Sequence, residues 1–325
     1  MQATAIAHPN IALIKYWGKR DVQLNLPAVP SLSVTLGEFA TTTTVTWGTP
    51  KDKVDVNGQT LQDHAAVRAL RFLDLVDPNR PPCHVISENN FPTAAGLASS
   101  SSAFAALGLA ATHAAGQQLD RTALSRIARQ GSGSACRSLW GGWVEWQMGE
   151  NNDGSDSHGI PVAPADHWDV RVVVATISAG PKPIGSTEGM LQTQRTSPFY
   201  AAWVDTAQAD LEEARSALLR RDLETLGTLM EQSTFKMHGT MLTSQPSICY
   251  WTPGTLLALD IVRTLRQQGV GAWATMDAGP NVKVLCESKD AERVADALRT
   301  QIQQVQILSV GSHARLTQPT TTAHD

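Results

Sequence analysis

This 325-residue sequence predicts an α+β fold in two domains, on three observations. The chain is longer than single hydrophobic cores usually grow. Its first half reads as short Thr- and Val-rich strands followed by helices of small residues. Its second half reads as helices charged on one face, packed on a small antiparallel sheet.

The elements follow from the local pattern. Stretches 31–36 and 42–47 alternate and carry the Thr and Val that strands prefer. A short strand at 54–56 runs into Asn57-Gly58, a tight-turn pair. Helical spacing of Ala66, Ala69, Leu70, Leu73 and Val76 predicts a helix over 62–76, stopped by Asp77-Pro78. A short strand at 84–87 feeds a Gly/Pro-punctuated loop, then a long small-residue helix reaching His113. A helix at 122–129 and a strand at 142–148 come next. Stretch 151–167, rich in Asp, Gly, Ser and Pro, reads as an exposed loop. Beyond it come an apolar strand at 170–177, helical pattern over 197–241 and a helix at 253–268. Strands at 272–276 and 282–286, a helix at 291–305 and a strand near 307–310 complete the pattern. The polar tail from Gln318 is assigned no structure.

Composition excludes some functions. Twenty-six Lys and Arg against 30 Asp and Glu leave a net charge of −4, which gives no sign of a nucleic-acid-binding chain. An anionic small molecule stays open, because positive charge need only be concentrated locally. Cys83, Cys136, Cys249 and Cys286 form no CxxC pair and read as small hydrophobes in a reducing compartment. The first residues lack a basic segment followed by a long apolar one. The longest alanine-rich stretch, 103–111, is half of the ~20 residues a membrane span requires. A cytoplasmic protein with no membrane part is expected.

The most informative segment is Asn90-Phe91-Pro92-Thr93-Ala94-Ala95-Gly96-Leu97-Ala98-Ser99-Ser100-Ser101-Ser102. A strand ends before it and a helix begins inside it. The first N–H groups of that helix lack internal partners, and the helix dipole adds positive charge there. Gly96 lets backbone approach a ligand closely, and the serines add hydroxyls, so a phosphate chain would fit. A structural loop with a serine N-cap would look the same, and both readings stay open on these residues alone. GxxxxGK[ST] is absent, and Gly131-Ser132-Gly133 fails GxGxxG because Cys136 stands at its last position.

Three other places carry candidate chemistry. Lys15, Tyr16, Lys19 and Arg20 lie within six residues, and Lys15 interrupts an apolar stretch. The run Gly131-Ser132-Gly133-Ser134-Ala135-Cys136-Arg137 is a small-residue turn opening a short helix. Its serines can meet an anion, and Arg137 offers a fork suited to carboxylate or phosphate. Asp277 follows a buried-looking strand and precedes Ala278-Gly279-Pro280, where an acid can also be a turn-former.

Pro92-x-x-x-Gly96-Leu97-Ala98-Ser99-Ser100 resembles the phosphate loop of the GHMP kinase superfamily. With its flank Asn89-Asn90-Phe91 and the insert Thr93-Ala94-Ala95, the string is similar to that of the diphosphomevalonate decarboxylases. Three further blocks of that family appear in order: Asn10 to Asp21, Gly131 to Ser138, and Met276 to Asn281. Together they span almost the whole chain.

The resemblance implies a two-domain GHMP kinase-like fold, with a ribosomal protein S5 domain 2-like N-terminal domain (1–180) and a ferredoxin-like C-terminal domain (181–325). It implies ATP and Mg²⁺ as cofactors, mevalonate 5-diphosphate as substrate and a homodimer. Asn90, Pro92, Ala95, Gly96, Leu97, Ala98, Ser99 and Ser100 would bind ATP, with Ser100 a ligand of Mg²⁺. Tyr16, Lys19, Ser132, Ser134, Arg137 and Ser186 would bind substrate. Asp277, Arg137 and Lys15 would be catalytic. Thr187 departs from the arginine of some bacterial members, so one diphosphate contact is lost or made differently. Two rivals remain: a relative that phosphorylates without decarboxylating or that accepts the monophosphate, and a non-catalytic sensor, which would carry damaged catalytic positions.

Overall fold

The computed structural model describes residues 1–91, 99–178, 180 and 184–318. The strands and helices of the first half are β1 (Gln2–Ala7), β2 (Asn10–Ile14), β3 (Lys19–Asp21), β4 (Leu26–Pro27), β5 (Ser31–Thr35), β6 (Thr41–Trp47), β7 (Lys53–Val56), β8 (Gln59–Thr60), α1 (His64–Val76), β9 (Cys83–Asn89), α2 (Ser99–Ala114), α3 (Arg121–Gly131), β10 (Trp143–Gln147) and β11 (His158–Ala163). Then come β12 (Val170–Thr176), α4 (Ser186–Thr196), α5 (Tyr200–Arg220), α6 (Leu223–Leu242), α7 (Pro253–Gln267), β13 (Ala272–Met276), β14 (Val282–Glu287), α8 (Ala291–Arg299), β15 (Gln304–Leu308) and β16 (Arg315–Thr317).

Local chemistry sets several boundaries. Asp63 caps α1 by accepting from the Ala65 N–H, a contact worth about 1 kcal/mol. Asn57 and Gly58 both have positive φ, as a two-residue turn between β7 and β8 requires. Thr252 and Thr255 form a reciprocal capping box with Pro253 just inside α7.

The described strands form three main sheets, in the orders β16-β1-β6-β9-β7-β8, β11-β10-β5-β2 and β13-β14-β12-β15, with β3 and β4 as a small ribbon. Val45, Val85, Phe72, Phe104 and Leu107 fill the core between the first sheet and α1–α3. The third sheet is antiparallel throughout; β12, β13 and β14 are buried on both faces, while the edge strand β15 is partly exposed. Strand alternation divides β12: Val173 and Ala175 face α7 and α8, while Val172 and Val174 join Leu211, Leu226 and Trp273. That second group also takes Ile11, Leu13, Leu32 and Trp143, so one apolar cluster joins the two halves of the chain.

Some expectations need correction. Stretch 151–167 is not all loop: β11 pairs with β10 at the edge of its sheet. Pro161 suggested a loop, yet an edge strand tolerates proline because its N–H side faces away from the ladder. The helical pattern over 197–241 divides into α5 and α6 at Arg221, whose φ of 59° is left-handed. The helix expected over 291–305 stops at Arg299, and its last part is β15. Strands β1 and β16 and helix α4 had no counterpart in the sequence reading.

Candidate active site

A cleft of about 1430 Å³ opens between the two halves. That exceeds the roughly 300–1,000 Å³ of an ordinary ligand pocket and leaves room for two anionic ligands side by side. Lys15, Tyr16, Lys19, Ser99, Ser100, Ser132, Ser134, Arg137, Ser186 and Asp277 all line it. Five stretches far apart in sequence therefore converge. Pro92, Ala95, Gly96, Leu97 and Ala98 lie outside the described residues. Asn90 is described, and its side chain ties strand ends together: Oδ1 accepts from the Ala40 N–H (2.8 Å) and Nδ2 donates to the Glu38 carbonyl (2.8 Å).

Lys15 follows β2, and its N–H donates to Ser233 Oγ of α6 (2.9 Å), which anchors the strand end on that helix. Its ammonium is 1% exposed and donates to Asp277 Oδ1 (2.9 Å) and the Ala12 carbonyl (2.8 Å). Burial lowers the Lys15 ammonium to about 8 against the pull of Asp277, with Lys283 and Arg137 pushing the same way as burial.

Asp277 stands just beyond β13, and Lys283 Nζ meets its Oδ2 at 3.2 Å. Burial would raise the carboxyl, but the two ammoniums hold it well below the usual carboxylate range. Asp277 is an ionised acceptor. His238 of α6 is buried near Asp277, and its Nε2 has no hydrogen-bond partner among the described residues; burial and then Lys15 push its ring down to about 3, so it stays neutral.

Arg137 closes the short 3-10 turn 133–136 and is buried. Its Nε and Nη2 donate to Asn10 Oδ1 (3.2 and 3.0 Å), and Nη1 donates to Ser31 Oγ. The bidentate edge that suits a carboxylate is thus occupied by Asn10. A ligand carboxylate would meet the remaining Nη hydrogens.

Tyr16 packs against Trp146 with ring centroids 4.6 Å apart. Its hydroxyl is buried without a hydrogen-bond partner among the described residues. Lys19 Nζ reaches Thr187 Oγ1 at 3.4 Å, and burial followed by Arg68 lowers its ammonium to about 8. Ser100 and Ser132 hydroxyls lie 3.0 Å apart, so the start of α2 and the end of α3 meet at one wall. Ser186 opens α4 on the opposite side, next to Gly185.

The sequence reading missed Lys283, Asn10's grip on Arg137, His238 and Arg68. Arg68 also lines the cleft, donates through Nε to the Gly131 carbonyl (3.2 Å) and lies over the Phe104 ring. Lys283 had a signal: it is a lone ammonium in the apolar strand Val282–Glu287, as Lys15 is in its own stretch.

The model of the diphosphomevalonate decarboxylase-like N-terminal domain matches residues 7–159, and that of the mevalonate 5-diphosphate decarboxylase C-terminal domain matches residues 172–323. The diphosphomevalonate decarboxylase of Aspergillus fumigatus is 40% identical over 324 residues, covering 92% of this chain and 80% of that protein. A crystal structure of mevalonate diphosphate decarboxylase from Staphylococcus aureus superposes with a TM-score of 0.92 at 36% identity, covering 98% of each chain. A structure of the enzyme MDDEF in complex with MVAPP, AMPPCP and magnesium has a TM-score of 0.91 at 38% identity, covering 98% of this chain and 99% of that one. The fold is the α+β fold of these enzymes. With both halves matched and the convergent cleft between them, this chain belongs to the diphosphomevalonate decarboxylase family.

Proposed function

We infer that this chain catalyses the ATP-dependent decarboxylation of mevalonate 5-diphosphate, giving isopentenyl diphosphate, ADP, phosphate and CO₂, a step of isoprenoid biosynthesis. The observation that carries this reading is the convergence of Lys15, Arg137 and Asp277 on one cleft, with Lys15 and Asp277 in direct contact. A substrate with a tertiary alcohol, a carboxylate and a diphosphate needs separated cations and one hydroxyl acceptor. These residues match that need.

Phosphoryl transfer depends mainly on positioning and charge neutralisation. Ser99 and Ser100, at the start of α2, would hold ATP phosphates together with the preceding loop. Magnesium, when bound, neutralises phosphate charge during transfer, and Ser100 would be its protein ligand. Among the described residues, no group of three or more His, Cys, Asp or Glu could hold a metal.

Asp277 would orient the substrate's 3-hydroxyl and take its proton late, because a carboxylate is far too weak a base to ionise a tertiary alcohol beforehand. Once phosphorylated, that oxygen leaves as phosphate, positive charge builds at C3 and the carboxylate electrons collapse as CO₂ departs. Lys15 would stabilise the departing phosphate, while Arg137 aligns the carboxylate. Lys19, beside Thr187, together with Tyr16, Ser132, Ser134 and Ser186, would hold the diphosphate end. Arg68, which lines the same cleft and whose charge acts on Lys19, would supply charge that Thr187 lacks.

The same proposal includes a division near residue 180 into an ATP-loop half and a second half contributing Ser186 and Asp277, a homodimer and a cytoplasmic location. No described helix is long and apolar enough to cross a membrane. The test is stoichiometry. Purified protein given ATP, Mg²⁺ and mevalonate 5-diphosphate labelled in its carboxylate should release one CO₂ per ADP. ADP without CO₂ would mean a kinase.

A further inference from the structure

The Asp277 carboxylate is gripped from both sides. Lys15 holds Oδ1 at 2.9 Å and Lys283 holds Oδ2 at 3.2 Å, so each oxygen has its own ammonium. Both lysine side chains are 1% exposed, whereas that of Asp277 is 26% exposed, so only the acid of the three opens substantially onto solvent.

The hairpin β13–β14 builds this arrangement. Its register sets Thr275 opposite Lys283, and the turn between the strands brings Asp277 back over the lysine. Alternation puts Val282, Val284 and Cys286 against α7 and α8, and turns Lys283 with Leu285 to the face where Thr275 bonds Thr234 of α6. Lys283 does not line the cleft. Its contact with the site is the Asp277 carboxylate, and its charge also acts on the Lys15 ammonium.

We propose that Lys283 is a positioning residue for the decarboxylation inferred above, on which this assignment rests: it fixes Oδ2 of Asp277, so that the carboxylate presents one set edge to the substrate alcohol. A buried lysine in an apolar strand is an expensive way to gain stability, since well-packed apolar residues often do as well or better. Here the lysine does something an apolar residue would not. It prevents the carboxylate from rotating about its last bond, and it keeps the acid ionised in a site where burial favours the neutral form. The charged and titratable groups around Asp277 are Lys15 from the end of β2, Lys283 from β14, Arg137 beyond the 3-10 turn and His238 from α6. His238 is neutral through the working range, so the two lysines and Arg137 supply the opposing charge.

The experiment compares wild type, K283M and K283R, each checked for a folded melting transition, by measuring kcat, both KM values and the pH profile of kcat. In K283M, kcat should fall at least ~10-fold through a loosened carboxylate while both KM values stay within ~3-fold. Its carboxyl should titrate at higher pH than in wild type, so that an acid limb appears or moves up, because one of the opposing charges is gone and burial weighs more. K283R, which keeps the charge, should return the acid limb towards the wild-type position. If K283M does not fold, K283Q is read in its place with the same outcomes. A kcat within ~2-fold of wild type and an unmoved acid limb would overturn the assignment, since those are the changes a positioning residue must cause. An active wild type with an indifferent K283M refutes the clamp alone; a wild type that releases no CO₂ refutes the parent reading and the clamp with it.

Discussion

Asn10 Oδ1 accepts two hydrogen bonds from Arg137, from Nε at 3.2 Å and Nη2 at 3.0 Å, across 127 residues of chain. The other end of the same amide donates to the Ser134 carbonyl (2.9 Å) and Ser138 Oγ (2.8 Å). One side chain at the start of β2 thus fixes both the guanidinium and the turn that carries it.

Asn10→Ala should therefore damage both catalysis and stability. It leaves a buried guanidinium short of an acceptor, which costs about 1–3 kcal/mol. We expect a lower urea midpoint and a kcat reduced by at least ~10-fold, because a freed guanidinium is no longer aimed. A variant with wild-type stability and rate would show that the contact is incidental.

Arg137→Lys keeps the charge and loses the planar fork. A single ammonium cannot serve Asn10, Ser31 and a ligand carboxylate together. Turnover should drop by at least ~10-fold although net charge is unchanged. An unchanged rate would remove Arg137 from substrate alignment.

The pH dependence follows from Lys15 and Lys19. Burial lowers both ammoniums to about 8, so each is charged below that pH and loses its proton above it. For the free enzyme, kcat/KM should decline as pH rises through about 8, because in the proposed mechanism both ammoniums meet the anionic substrate. The limb in kcat should lie at higher pH, since bound anions favour the charged lysines. Profiles flat to pH 10 in both parameters would contradict this.

Gly133→Ala tests how tightly the substrate-side turn is packed. An added Cβ would lie 2.6 Å from the Trp146 ring and 3.0 Å from that of Tyr16. Both rings would have to shift, at a cost of about 1–3 kcal/mol. A lower thermal midpoint and a raised KM for substrate are expected; an unaltered KM would mean that the Tyr16 position is unimportant.

Much of this was legible because local patterns are strong. Alternation in 42–47, the spacing in 62–76 and the Asn57-Gly58 pair each specify one structure. Lys15 was conspicuous as a charge in an apolar stretch. Lys283 carried the same signal but passed as part of a strand, because its partner Asp277 is evident only once β13 and β14 pair. Asn10 was visible as part of a motif, yet its hold on Arg137 depends on two segments meeting in space. Strand β16 depends on β1 for its pairing, and β11 was hidden by Pro161.

The most direct test of the account is Asp277→Asn, with turnover and binding of a non-hydrolysable ATP analogue measured on the same folded preparation. In the proposed mechanism the carboxylate accepts the proton of the substrate alcohol, whereas the serines at the start of α2 would hold ATP phosphates. Turnover should fall at least ~10²-fold, while affinity for the analogue stays within ~3-fold. Turnover close to wild type in that variant would contradict the account.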